Sequence, residues 1–340
     1  MSLEKFNVIL APTREMAELI DANATVEAEY GDYCVEGKEI TLAHHGSRSS
    51  NPAPCNSDVQ PLEGGTILVS HLDLDAIGGV LAVTGDKIEN SEFWEAAEFI
   101  DVNGVHHIHE LPQDIQDKLN AVYAWNDTQP RVRYTEITDV TENVQKNMEM
   151  LEKVLDERHP EHENMINAGK EWEEATTSAV EARLMDETEY VRVFSTNGPF
   201  CSASYYSPNL EAVVPCTVSF NEKFNSITVA FADGGRESGG SLSAREIVQK
   251  LWGPEASGRD GIAGSPRGQV MTKDNLVNCA KYVEAMVQAA EICQQMDVEK
   301  IADLIQERNE LRDELTQNEY EKNEAPINEA ESDEESLSSE

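Results

Sequence analysis

The sequence predicts an α/β fold in two domains, closed by a C-terminal helix and an acidic tail. Apolar runs that end in polar clusters alternate with helical segments over residues 1 to 110; a long acidic stretch with helical spacing follows; beyond it, strand-like runs return and lead into a glycine-rich region. The expected parts are a parallel-sheet domain over 1–137, a helical connector over 138–190 and a smaller mixed-sheet domain over 191–273. A helical segment over 274–316 and a disordered tail over 317–340 complete the chain.

Taken in order, "FNVILAP", "KEITLAHH", "GTILVSH" and "EFIDVNG" each carry an apolar or β-branched run to a polar end and read as strands. Between the last two, "AIGGVLAVTG" and "NSEFWEAAEF" read as helices, the second capped by Asn90 or Ser91. Strand alternating with helix implies a parallel sheet, and such sheets gather functional groups at the carboxyl ends of their strands. The connector carries Met148, Leu151 and Leu155 at helical spacing, and "YVRVFST", "EAVVPCTVSF" and "SITVAFAD" are the strands of the second domain. Ile301, Leu304, Leu311 and Leu315 follow a three-and-four spacing that admits a homodimer through the C-terminal helix, beside the plainer reading of a helix packed on its own domain. The tail, dense in acid and nearly free of apolar residues, cannot bury enough surface to order itself.

Composition excludes several classes of function. With 26 basic against 65 acidic residues, the formal charge of -39 opposes a long nucleic acid wrapped over the surface, while a small phosphate-containing anion remains compatible with a locally basic cleft. No secretion-type N-terminus and no membrane-length apolar run is present, so the expected location is cytoplasmic with no membrane contact. The six cysteines form no C-x-x-C pair and read as reduced thiols.

Three clusters carry metal or phosphate chemistry. In "SHLDLDAIGG", His71, Asp73 and Asp75 alternate and would share one face of an extended strand, a donor set suited to Mn²⁺ or a similar ion. Asp75 alone reads more simply as a helix cap. In "FIDVNGVHHIHE", Asp101 ends a predicted strand and is followed by His106, His107 and His109; this mixture of imidazole and carboxylate suits a binuclear centre better than a structural zinc site. In "TLAHHGSRSSNPAPC", His44, His45 and Arg48 stand among small and hydroxyl residues that can hold a phosphate oxygen, or form an ordinary polar loop.

These motifs resemble the DHH phosphoesterases with a DHHA1 domain. "SHLDLDAIGG" is similar to the family's first motif, and "SGRDGIAGSPRG", from Gly258 through Arg259, Ala263 and Gly264 to Ser265 and Arg267, is similar to its glycine-rich element. The sequence departs from the family at two places: "IDVNGVHH" stands where a contiguous Asp-His-His is expected, and Arg259 replaces the glycine-loop histidine. The resemblance implies a DHH-like metal-binding domain and a DHHA1-like substrate-binding domain. It also implies a pair of Mn²⁺ ions, with Mg²⁺ as the alternative, held by His71, Asp73, Asp75, Asp101 and His107. His106 would contact phosphate or donate to the leaving group, and Asp127 is a weaker ligand candidate. His44, His45, Arg48, Gly258, Arg259, Gly264, Ser265 and Arg267 would hold substrate. The implied reaction is hydrolysis of a small nucleotide, a cyclic dinucleotide or a very short oligonucleotide by metal-activated water. The competing readings are a single-strand exonuclease and a catalytically inactive interaction protein that has kept the fold.

Overall fold

The computed structural model of the chain describes residues 3–30, 33–45, 48, 50–130, 132, 134–197, 202–234, 242–293, 300, 306 and 308. The chain divides into two units, Met1–Val283 and Glu284–Glu340.

The first unit opens with strand β1 (Phe6–Leu10), a helical turn α1 (Arg14–Ala17), strand β2 (Ala24–Val26), and a small hairpin of β3 (Glu29–Tyr30) and β4 (Tyr33–Cys34). Strands β5 (Ile40–Leu42) and β6 (Gly65–Val69) follow, then helices α2 (Leu74–Thr84), α3 (Ser91–Asn103) and α4 (Gln113–Thr128), strand β7 (Thr138–Asp139), and helices α5 (Thr141–Leu155) and α6 (His162–Glu181). The sheet runs β5-β2-β6-β1-β7. Its first four strands are parallel, and β7 lies antiparallel at the edge against β1. Strand β2 sits between β5 and β6 with Val26 opposite both Leu42 and Val69, so these strands end level and the residues after them emerge at one edge.

A second sheet follows in the same unit. Strands β8 (Leu184–Glu187) and β9 (Val191–Thr196) lead into a ribbon of β10 (Tyr206–Ser207) and β11 (Ala212–Val213), then β12 (Cys216–Asn221), β13 (Ser226–Phe231), helix α7 (Ala244–Trp252), β14 (Ser257–Gly258) and β15 (Ile262–Gly264). Its order is β14-β15-β13-β12-β9-β8, and only β9 and β12 pair in parallel. The chain is therefore mixed α/β with one largely parallel and one mixed sheet. Residues 273–293 are helical. Among the described residues no helix is long and apolar enough to cross a membrane. The acidic tail, the heptad positions Ile301 to Leu315 with the dimer expected through them, and Gly46, Ser47 and Ser49 lie outside the described residues.

The elements differ from expectation where two periodicities compete. "EFIDVNG" is not a strand: Phe93, Trp94, Ala97 and Ile100 are buried at three-and-four spacing, Asn90 accepts the Phe93 N–H at 3.1 Å, and α3 runs through Asp101 to Asn103. Nor do His71, Asp73 and Asp75 share an extended strand. β6 ends at Val69, and the Asp73 side chain accepts the Ala76 N–H at 2.9 Å to cap α2, which puts Asp75 in the first helical turn. The stretch 138–190 contains β7 and β8 as well as helices. Val144, Met148, Leu151 and Val154 of α5 join Val8, Ile67, Val80 and Leu119 in the first core, at about 1.5–3 kcal/mol for each large apolar side chain fully buried.

Candidate metal centre

The level ends of β5, β2 and β6 deliver His44 and His45, Glu27, and His71 to one edge, the position where open parallel sheets place their sites. Helix α2 adds Asp73 from its N-cap and Asp75 from its first turn, and α3 adds Asp101 from its last. Glu27 follows β2 directly and takes a left-handed backbone at φ +50°, a conformation that costs a non-glycine residue roughly 1–3 kcal/mol and is kept where function needs it. Its carboxylate, 1% exposed, lies at the centre of the cluster.

His44 Nε2 stands 3.1 Å from Glu27 Oε1, 3.3 Å from Asp75 Oδ2 and 3.3 Å from Asp101 Oδ2. His45 Nε2 is 3.2 Å from Glu27 Oε1, and His71 Nε2 is 2.9 Å from both Glu27 Oε2 and Asp73 Oδ2. Yet Glu27 Oε2, Asp75 Oδ2 and Asp101 Oδ2 are buried without a hydrogen bond, because the approaching nitrogens are close but badly aligned. One ring N–H cannot serve three carboxylates. The remaining polar atoms are held firmly: Asp75 Oδ1 accepts the Cys55 N–H at 2.7 Å, His71 Nδ1 meets Ser70 Oγ at 2.8 Å, and the Ser70 hydroxyl donates to the Glu27 carbonyl.

Electrostatics give the same answer. Burial pushes the Asp101 carboxyl up to about 6, reinforced by the charges of Asp75, Asp73 and Glu27. Burial also raises Asp75, against the pull of His44. Glu27 moves the other way: its burial is outweighed by the close imidazoles of His44, His45 and His71, which hold it well below the usual carboxylate range. Asp75 and Glu27 lift the His44 imidazole to about 10, and Asp73 and Glu27 lift His71 to about 11 against its burial. Without a cation, protonated imidazoles must neutralise the crowded carboxylates. The ligand-capable atoms fall into two groups, Glu27–His44–His45–Asp101 and Glu27–His71–Asp73, each within 4.8 Å and both including Glu27. Hard oxygens mixed with imidazole nitrogens fit Mn²⁺ or a similar divalent ion, with Glu27 placed to serve both groups.

Of the expected ligands, the structure brings together His71, Asp73, Asp75 and Asp101, and adds His44 and His45, which had been read as substrate contacts. Sequence reasoning missed Glu27; the signal was a carboxylate directly after the short apolar "ATV" strand. His106 and His107 do not pair with Asp101. They sit in a 3-10 turn, Val105–Glu110, and face Asp233, with His107 Nε2 3.1 Å from Asp233 Oδ1. Asp127 is no ligand here, since its Oδ2 accepts the Trp172 Nε1–H at 2.7 Å. Arg48 pairs with Glu36 at 3.2 Å. Ser265 is buried and tied to Ile227 through both its N–H and its hydroxyl, so it holds β13 rather than presenting to a ligand. In the β14–β15 ribbon Gly258 lies opposite Ala263 and Gly264 opposite Ser257, and Arg259 and Arg267 are exposed on the turns beside it.

A cavity of about 570 Å³ opens beside Asp73, lined by Leu72, Ile77, Tyr123, Trp125, Tyr134 and Lys146. A cleft of about 730 Å³ elsewhere, along Asp58, Lys87 and Glu92, includes none of the cluster. No protein-family model and no curated protein matches this sequence.

Proposed function

We propose that the chain is a metal-dependent phosphoesterase of the DHH type, with the first sheet as its metal-binding part and the second as a DHHA1-like substrate-binding part. The observation that carries this reading is His44 Nε2 crowded by Glu27, Asp75 and Asp101 at the level ends of parallel strands, with Glu27 common to two ligand groups. Glu27, His44, His45 and Asp101 would hold one ion; Glu27, His71 and Asp73 would hold the other; Asp75 stands close to His44 and is fixed by the Cys55 N–H. Paired divalent ions, when bound, supply Lewis acidity at a phosphoryl oxygen and at the attacking water.

The protein's own part is to place and restrict the substrate. A body carrying -39 repels long polyanions, so the site suits a small phosphate compound such as a small nucleotide, a cyclic dinucleotide or a very short oligonucleotide. The cavity beside Asp73 supports the nucleotide class: its volume falls within the usual ligand range of about 300–1,000 Å³, and Trp125, Tyr134 and Tyr123 offer aromatic surface for a base. Arg259 and Arg267 are exposed cations beside the β14–β15 ribbon and would hold the far phosphate.

The test is release of phosphate-containing product from a panel of small nucleotides with Mn²⁺ present and with EDTA in excess. The proposal expects product from at least one nucleotide only with Mn²⁺. Equal rates under both conditions would remove the metal from the reaction.

A further inference from the structure

We propose that His106, His107 and Asp233 form a separate site for a single Zn²⁺ ion, shared between the 3-10 turn after α3 and the end of β13. This site has no residue in common with the cluster around Glu27 and stands whatever reaction that cluster performs.

Gly104 is the C-cap of α3. Its φ of +98° suits glycine, and a Cβ there would lie 2.5 Å from His106 Cε1, so glycine both ends the helix and makes room for the His106 ring. That ring is 5% exposed, and neither nitrogen makes a well-aligned hydrogen bond, although the Ala232 backbone lies close enough to act on it. An imidazole buried this way is destabilising unless something accepts or supplies its missing bond. Tyr205 packs on it at 4.9 Å between ring centroids and leaves both nitrogens unsatisfied.

His107 is oriented as a metal-binding histidine usually is. Its Nδ1 lies 2.6 Å from Glu110 Oε1, and its Nε2 points at Asp233 Oδ1 from 3.1 Å. A carboxylate on Nδ1 holds the proton there and leaves the Nε2 lone pair directed outward, the carboxylate–histidine–zinc arrangement. A cation between Nε2 and the Asp233 carboxylate would take the place of the proton that otherwise joins them at 3.1 Å. His106 Nε2 is 4.0 Å from the same Asp233 oxygen. Bonds of about 2.0–2.2 Å in a tetrahedral site separate ligand atoms by roughly 3.3–3.5 Å, and the two observed separations bracket that value. Two imidazole nitrogens and one carboxylate favour Zn²⁺ over Mg²⁺ or Mn²⁺ and leave a fourth position open. Asp233 belongs to the second sheet and the histidines to the helical border of the first, so the ion would link the two.

The test is zinc binding to the full chain, read by titration calorimetry, by zinc analysis after dialysis, and by the visible absorption of Co²⁺ in place of Zn²⁺. Asp233 is 73% exposed, so Asp233→Ala leaves the fold undisturbed. The proposal expects this variant and His107→Ala each to bind one Zn²⁺ fewer than the wild type, with affinity at this site lowered about 100-fold or more and the tetrahedral Co²⁺ bands lost. Mn²⁺ binding at the Glu27 cluster should be unchanged, so loss of the Mn²⁺ proposal would leave this result standing, and the reverse. Wild type and Asp233→Ala with equal zinc content and the same Co²⁺ spectrum would overturn the proposal.

Discussion

His44 Nε2 lies 3.3 Å from Asp101 Oδ2, an oxygen buried with no hydrogen bond, and the same nitrogen is within 3.3 Å of carboxylates from Glu27 and Asp75. This imidazole joins the end of β5, the end of β2 and both helices at a single point. Replacing it by alanine leaves Glu27, Asp75 and Asp101 facing one another. We expect His44→Ala to lower Mn²⁺ affinity by about 100-fold or more while far-ultraviolet circular dichroism is retained; equilibrium dialysis checks it. Wild-type affinity in the variant would remove His44 from the ligand set.

The floor of the site is set by a close approach at Gly78. A Cβ there would lie 2.5 Å from Cys55 Cβ and 2.8 Å from Trp94 Cζ3. Cys55 in turn donates its N–H to Asp75, so a methyl group at 78 presses on the residue that fixes the Asp75 carboxylate. Gly78→Ala should cost about 1–3 kcal/mol in a urea titration and weaken Mn²⁺ binding in parallel. A stability equal to the wild type would show that this loop yields more easily than its packing implies.

Arg192 anchors the second sheet. Its guanidinium is fully buried, with Nε 2.6 Å from Glu187 Oε2, Nη2 on Glu181, and Nη1 shared by the carbonyls of Ser204 and Tyr206. Arg192→Met strands the partly buried carboxylates and should cost about 3 kcal/mol. Arg192→Lys keeps the charge and loses the fork, so it should recover only part of that loss; urea titration of both variants is the check.

Thiol reactivity should follow burial. Cys55 and Cys216 are buried and their thiols are pushed up by that burial, Cys279 is raised to about 12 for the same reason, and the half-buried Cys34 is raised as well. A raised thiol carries its proton at pH 8 and reacts slowly. Among the cysteines of the described residues, Cys293 is exposed and should be labelled first by a disulfide reagent, Cys34 later, and Cys55, Cys216 and Cys279 only after denaturation. Peptide mass spectrometry reads the order, and early labelling of Cys55 would contradict the packing around Asp75.

Much of the fold was legible because the central strands are rich in apolar and β-branched residues: β1, β5, β6, β9 and β13 fall in predicted segments, and β12 overruns its segment only by Asn221. β2 was not legible, since only Ala24, Thr25 and Val26 form it before acid resumes, and with it went Glu27. Asp101 was read as a site residue and lies in the cluster although its strand proved to be a helix, because a carboxylate near a strand end and one near a helix end look alike in a short window. The histidines were assigned by proximity in sequence. His106 and His107 follow Asp101 closely, but Gly104 breaks α3 and turns them toward Asp233, while the partners of Asp101 come from β5 by way of the register between β2, β5 and β6. Register between strands is a through-space property, and no spacing along one chain reports it.

The central claim is a divalent-metal centre organised by Glu27, and metal counting with Glu27→Gln tests it most directly because the amide keeps the volume and removes the charge shared by both ligand groups. The measurement is Mn²⁺ retained per chain after dialysis, by elemental analysis, on wild type and variant side by side. The account predicts that the wild type retains both ions of the cluster, that Glu27→Gln loses both, and that Mn²⁺-dependent release of phosphate-containing product disappears with them. A variant that keeps the wild-type count, or a wild type that retains no Mn²⁺, would contradict it.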